Sequence, residues 1–257
     1  MCRMLGMIGT PPLPIQDAFD AFYPLCAKGC VNKGMEPGHR DGWGASGFQD
    51  SRVVYFERRA EPADTCQSEY KHAAERALKS HSPVVIVHFR KASGAPPGIA
   101  NTHPFHFRDW VFAHNGTIYG AMASINLNET KPQGETDSEL FFLWIWEQIH
   151  AAEDPTAALA ELLRKSRDNL VFSSLNFLLS DGKQLWAYRD YGEKRLGKDE
   201  TVMDREKYYT LYTAQSGKSA LVCSEPLPAL SKRWQPLGQR TLATFTVGNP
   251  LPQTIAV

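Results

Sequence analysis

The chain has 257 residues, of which 42% are apolar and 22% charged, and its 28 Lys and Arg balance its 28 Asp and Glu. This composition suffices for a sizeable core and excludes a disordered or collagen-like chain. No long block of like charge exists, so neither nucleic acid nor an anionic membrane is an expected partner, and a small molecule or a protein is favoured.

In chain order, apolar Ile15, Ala18, Phe19, Phe22, Leu25 and Cys26 recur at helical spacing and predict a helix from Ile15 to Ala27. A strand is expected at Val53 to Glu57, a weaker helix from Gln67 to Lys79, and strands at Val84 to Arg90 and Trp110 to Ala113. Phe141, Phe142, Ile145, Trp146 and Ile149 mark an amphipathic helix from about Ser138, capped by Asp137 or a neighbour, and Pro155 opens another toward Asn169. Further strands are expected at Leu175 to Ser180, Leu185 to Tyr188, Tyr208 to Ala214, Ala220 to Ser224 and Thr241 to Val247, with Asp181-Gly182 as a hairpin turn. Strands cluster on both sides of a helical pair without βαβ alternation. The expected class is therefore α+β with mostly antiparallel sheets, in one domain over residues 1–257.

The longest charge-free stretch, Trp110 to Asn128, is interrupted by His114, Asn115, Thr117 and other polar residues, unlike a membrane span of about 20 apolar residues. The beginning, Met1-Cys2-Arg3, does not read as a secretory signal, and a cytoplasmic protein is expected. Five cysteines, Cys2, Cys26, Cys30, Cys66 and Cys223, are odd in number and irregular in spacing, which argues for free thiols. Cys26, Cys30 and His39 lack a second ligand pair at zinc spacing, so no metal and no cofactor are expected.

Cys2 is the first chemical candidate. Were Met1 trimmed, one residue would carry both a thiol and an α-amine with a pKa of about 7.7 to 8, and the amine could take the thiol proton. Arg90, at the end of a hydrophobic strand, could bind a carboxylate through its fork. The Asn115 amide and the Gly116 N–H, in a turn after another strand, could face a developing oxyanion. A carboxylate in the Gly134-Glu135-Thr136-Asp137-Ser138-Glu139 segment could meet an ammonium. Each also has an ordinary structural reading, respectively a packed thiol, an ion-paired arginine, a turn dipeptide and a helix cap.

Taken in this order, Cys2, the Arg90 segment, Asn101-Thr102-His103-Pro104-Phe105, His114-Asn115-Gly116 and Glu135-Thr136-Asp137-Ser138-Glu139 resemble the class II glutamine amidotransferases. Asp41-Gly42-Trp43-Gly44 and Ser224-Glu225-Pro226-Leu227 look like segments of the same family, and the resemblance is nearest to small stand-alone bacterial members. It implies a four-layer αββα sandwich of the N-terminal-nucleophile hydrolase type. It further implies that Cys2 attacks the carboxamide of glutamine, that Arg90 holds the α-carboxylate and Asp137 the α-ammonium, and that Ser93, Thr102 and His103 complete the substrate pocket. Asn115 and Gly116 would form the oxyanion hole, ammonia would leave, and water would release glutamate from a Cys2 thioester. One departure is Lys91-Ala92-Ser93-Gly94, where the synthases carry an aromatic residue and then Ala-Thr-His-Gly.

Three functions follow from the resemblance. The chain could hydrolyse glutamine or a larger γ-glutamyl compound by itself, as the ergothioneine-pathway member of the group does. It could be a glutaminase subunit passing ammonia to a separate acceptor protein. It could be a silent binding module with Met1 retained. With no synthase domain after Val257, the first is the expected one.

Overall fold

The structure, a computed structural model, describes residues 2–31, 34–192 and 206–257. Its elements begin with β1 (Arg3–Gly9), α1 (Ile15–Phe22), α2 (Leu25–Lys28), β2 (Trp43–Gln49), β3 (Arg52–Arg59), α3 (Gln67–Lys79) and β4 (Val84–Phe89). Next come β5 (Phe105–Phe107), β6 (Trp110–Asn115), β7 (Ile118–Tyr119), α4 (Ala121–Ser124), α5 (Asp137–Ile149), α6 (Pro155–Asn169) and β8 (Val171–Phe172). The chain closes with β9 (Asn176–Ser180), β10 (Gln184–Arg189), β11 (Tyr212–Ser216), β12 (Ser219–Cys223), β13 (Gln235–Pro236), β14 (Thr241–Thr246) and β15 (Asn249–Ala256).

Two sheets carry the fold, one ordered β13-β11-β12-β1-β4-β2-β3 and the other β15-β14-β10-β9-β6-β5, with β7 and β8 paired separately. Every pairing within the two sheets is antiparallel. Alternate residues of a strand face opposite sides, and here both sides are apolar. On β1, Met4 and Ile8 enter a layer between the sheets with Val84 and Ile86 of β4, Val111 and Ala113 of β6, Leu178 of β9 and Leu185 of β10. The intervening Leu5 and Met7 pack with Val85 and Val87 against α1 and α3, through Phe19, Phe22, Tyr70 and Ala74. Across the molecule, Phe112, Phe177, Leu179 and Trp186 meet Phe141, Ile145, Trp146, Leu159 and Leu163 of α5 and α6. The result is a four-layer αββα sandwich of the expected α+β class, with β1 buried at the centre of its sheet.

Several elements differ from expectation for identifiable reasons. The helix expected from Ile15 to Ala27 breaks at Pro24, which has no N–H to continue it, leaving α1 and the short α2. The cap of α5 is Thr136, whose Oγ1 accepts from the Glu139 N–H at 3.1 Å, while the Glu139 carboxylate accepts from the Gln133 and Gly134 N–H groups. The cap is thus the expected neighbour of Asp137, and the Asp137 side chain is left out of the capping role. The strand expected at Tyr208 begins at Tyr212, because Tyr208 and Tyr209 instead form a buried edge-to-face pair, 5.1 Å between centroids. The helices Gln67–Lys79 and Pro155–Asn169 match their expected limits. The Asp181-Gly182 turn also forms, with Asp181 Oδ1 accepting from the Lys183 and Gln184 N–H groups.

Gly6 of β1 faces the second sheet at close range. A Cβ there would stand 3.0 Å from Leu185 Cδ2 and 3.1 Å from Leu178 Cδ1. Gly6→Val must push both leucines aside and is expected to cost about 1 to 3 kcal/mol of stability, read as a lower urea midpoint. An unchanged midpoint would mean that the interlayer is looser than this packing requires.

Candidate active site

Strand parity assembles the candidate site. Met4 and Ile8 of β1 face the interlayer, and so does the position two residues before Met4, occupied by Cys2. Val111 and Ala113 of β6 face it from the opposite sheet, and the next residue in that phase is Asn115. The two meet at one end of the sandwich, where the Cys2 N–H donates to Asn115 Oδ1 at 2.9 Å. Asn115 Nδ2 is buried with no partner, a donor left over beside the nucleophile candidate. The Lys91 N–H approaches Cys2 Sγ at 3.5 Å.

A cavity of about 300 Å³ opens here, and Cys2, Arg90, Ser93, His103, Gly116 and Asp137 all line it. Of the eight residues singled out from the sequence, these six border the cavity and Asn115 touches it through Cys2. Thr102 is placed elsewhere: its hydroxyl donates to the Gly98 carbonyl at 2.8 Å, and the residue is buried outside the cavity wall.

Arg90 is buried, and its guanidinium donates to the carbonyls of Ala95, Pro96 and Asp41. Among the described residues no carboxylate pairs with it, so a buried cation faces the cavity neutralised only by dipoles. Asp137, in the first turn of α5, accepts from the Ile118 N–H and has no cationic side chain in ion-pair contact among the described residues. An unpaired, buried Arg90 and an unpaired Asp137 on a single cavity, which Lys91 and Glu135 also line, suit a zwitterion such as an α-amino acid. At Gly116 an added Cβ would lie 2.0 Å from the Ser174 carbonyl oxygen, so only glycine fits beside Asn115.

Burial pushes the Cys2 thiol above its ordinary pKa, while the Lys91 N–H, Arg90 and Arg3 pull it down. A thiol held protonated in this way needs a base nearby. Three buried histidines surround the site, and burial lowers all of them: His88 to about 3, His103 well below the usual imidazole value, and His114 in the same direction despite opposing attraction from Asp137. His103 stacks on His88 with centroids 4.3 Å apart, and neither of its ring nitrogens has a partner. His114 is fixed between Ser138 Oγ at 2.9 Å and the Ser174 carbonyl at 3.1 Å.

The sequence reading missed Ser138, which seats His114, and Thr117, whose hydroxyl lies 3.1 Å from that of Ser93 across the cavity. Each adjoins a residue that was singled out, but only the fold shows what it touches. Two of the three residues weighed as metal ligands have side-chain contacts to backbone carbonyls. Cys26 Sγ donates to the His39 carbonyl, and His39 Nε2 meets the Cys30 carbonyl at 3.1 Å.

The family model for class-II glutamine amidotransferases matches residues 1–256, and the chain belongs to that family. Escherichia coli YafJ is 32% identical over 202 residues, covering 73% of this chain and 72% of YafJ. A Methanocaldococcus jannaschii protein is 30% identical over 76% of this chain, which spans 52% of that relative's length. The γ-glutamyl-hercynylcysteine sulfoxide hydrolase of Mycobacterium tuberculosis is 31% identical over 121 residues, 46% of this chain and 50% of the hydrolase. In fold, the chain is similar to the Bacillus subtilis glutamine phosphoribosylpyrophosphate amidotransferase, with a TM-score of 0.66 at 12% identity over 99% of this chain and 49% of that one. No helix among the described residues is long and apolar enough to cross a membrane.

The neutral histidines have a consequence for stability. In the unfolded chain a histidine binds a proton below a pH of about 6.5, whereas natively buried His88, with its pKa near 3, does not. The unfolded state therefore gains protons as pH falls, and each such histidine is expected to remove on the order of 1.4 kcal/mol per pH unit below about 6.5. Urea unfolding at pH 7 and pH 5 checks this, and equal stabilities would contradict neutral burial.

Proposed function

We propose that the chain hydrolyses the γ-amide of glutamine or of a γ-glutamyl compound through a thioester on Cys2, acting as one domain over residues 1–257. The observation that carries this reading is the cavity in which Cys2 shares a wall with the unpaired Arg90 and the unpaired Asp137. Arg90 would take the substrate α-carboxylate and Asp137 its α-ammonium, with Ser93 and His103 completing the wall. These contacts orient the γ-carboxamide toward Sγ.

Removal of Met1, which lies outside the described residues, would free an α-amine on Cys2. With the thiol raised by burial and the histidines made weak bases, this amine is the group best matched to accept the thiol proton near neutral pH. The sulfur then bonds to the carboxamide carbon, and the carbonyl oxygen becomes an oxyanion facing Asn115 Nδ2 and the Gly116 N–H. The amine returns the proton to the leaving nitrogen, and ammonia or an amine departs as the C–N bond breaks. Water attacks the thioester in the second half-reaction, releasing glutamate and restoring the thiol.

The M. tuberculosis hydrolase supports a γ-glutamyl substrate in which the leaving group is larger than ammonia. A second reading, a glutaminase unit passing ammonia to an acceptor protein, is favoured by the chain's spanning only about half of the M. jannaschii relative and of the B. subtilis enzyme. Glutamate release that depends on an added partner would select that reading. A Met1 retained in full on native protein, seen by intact mass, would select a silent binding module.

Cys2→Ala is expected to abolish glutamate release without unfolding the protein. Arg90→Lys loses the bidentate fork and is expected to raise KM roughly tenfold to a hundredfold. Asn115→Ala is expected to lower kcat by about 10² or more. Steady-state assays on folded variants check all three, and near wild-type turnover in Cys2→Ala would remove the proposed nucleophile.

A further inference from the structure

Cys2 stands one residue before the β1 ladder begins at Arg3, so both of its backbone polar groups are held by side chains. Its N–H is held by Asn115, as described above. Its carbonyl accepts from Arg3 Nη1 at 3.1 Å. Arg3 lies in the strand phase of Leu5 and Met7, on the helix side of the sheet, and does not line the cavity.

The Arg3 side chain is 1% exposed and engages four groups at once. Nε donates to Glu225 Oε2 at 2.9 Å, Nη2 donates to the Cys30 carbonyl, Nη1 donates to Cys2, and the guanidinium lies 4.9 Å from the centre of the Tyr208 ring. Glu225 Oε2 also accepts from the Cys30 N–H at 3.0 Å, which ties the end of α2 to the segment after β12 through the same ion pair. A buried ion pair is weak support for stability on its own, because desolvation offsets its attraction. Three directed guanidinium contacts, one of them on the residue proposed as nucleophile, point to a different use.

We propose that Arg3 is a positioning residue for Cys2: it fixes the Cys2 carbonyl opposite the Asn115 contact and lends the thiol a positive charge that Glu225 moderates. This rests on the amidohydrolase reading for its catalytic meaning, while the contacts themselves do not. The other charged or titratable groups around Cys2 are Arg90 and His88 from the β4 segment, Lys91 after them, His114 beside Asn115, His103 before β5, Glu135 before α5, Asp137 of α5, Tyr208, and the α-amine that loss of Met1 would free on Cys2 itself. All are left unchanged in the variants below, so a difference reports the Arg3 and Glu225 pair.

The test follows alkylation of Cys2 by iodoacetamide against pH, resolved on the N-terminal peptide by mass spectrometry, beside kinetics of glutamate release. In Arg3→Gln the thiolate loses a nearby cation, so the alkylation midpoint is expected to rise. In Glu225→Gln the cation is left uncompensated, and the midpoint is expected to fall. Arg3→Lys keeps the charge and should keep the wild-type midpoint, but it loses the fork, so kcat should drop roughly tenfold to a hundredfold with KM unchanged.

A merely structural arginine would not move the two midpoints in opposite directions. Glu225 is 24% exposed, so Glu225→Gln carries the test if the Arg3 variants fail to fold, and an unmoved midpoint there overturns the proposal. Opposite shifts in a chain that releases no glutamate would support the role of Arg3 while the proposed reaction falls. An active chain in which neither midpoint moves would overturn the role of Arg3 and leave the reaction standing.

Discussion

The candidate site depends on one contact between the two sheets, the hydrogen bond from the Cys2 N–H of the first to Asn115 Oδ1 of the second, across 113 residues of sequence. A donor and an acceptor buried there without each other would each cost about 1 to 3 kcal/mol, so the pairing fixes how the two strand ends face one another. It also settles the orientation of the Asn115 amide. With Oδ1 engaged by Cys2, Nδ2 is left as an unpartnered buried donor, which is what an oxyanion would require. Loss of Met1 would leave a nitrogen that still carries hydrogens, so the same contact could hold the free amine.

Around this contact the electrostatics run against stability. Arg90 and Asp137 border the cavity without ionic partners among the described residues, and His103 is buried with both ring nitrogens unsatisfied. Such groups are retained at a cost, and their concentration around one opening marks the place where a zwitterionic ligand would supply what is missing. In the proposed reaction, burial that raises the thiol and weakens the histidine bases would leave the chemistry to groups on Cys2 itself. The arrangement thus joins strained electrostatics and the choice of base in a single cause, desolvation.

Much of the architecture was legible because its signals are local. Helical spacing placed α3 and α6 at their observed limits, and β-branched runs placed β4, β6 and β14 to within a residue or two. The two strands that flank β4, one of them the strand that Cys2 precedes, were not legible. In β1, Arg-Met-Leu-Gly-Met-Ile-Gly is buried on both faces and shows no alternation, and β2, Trp-Gly-Ala-Ser-Gly-Phe-Gln, is too rich in small residues to read as a strand. The candidate residues emerged from their order along the chain, but the reason they converge is strand phase, which needs the registers. Thr102 shows the limit of that order, since it adjoins His103, which lines the cavity, yet its hydroxyl closes a local turn. Arg3 shows the converse, because beside a cysteine at the chain start it has no motif, and only the fold brings Glu225, Cys30 and Tyr208 to it.

The central claim is that Cys2, with its own free amine, becomes acylated by the substrate. Rapid acid quenching during turnover of glutamine or a γ-glutamyl amide, followed by mass spectrometry of the N-terminal peptide, tests it most directly. The account predicts a peptide that begins at Cys2 and carries the added mass of one γ-glutamyl group, lost on treatment with hydroxylamine. Turnover with the γ-glutamyl group found on another residue, or with a peptide that still begins at Met1, would contradict it.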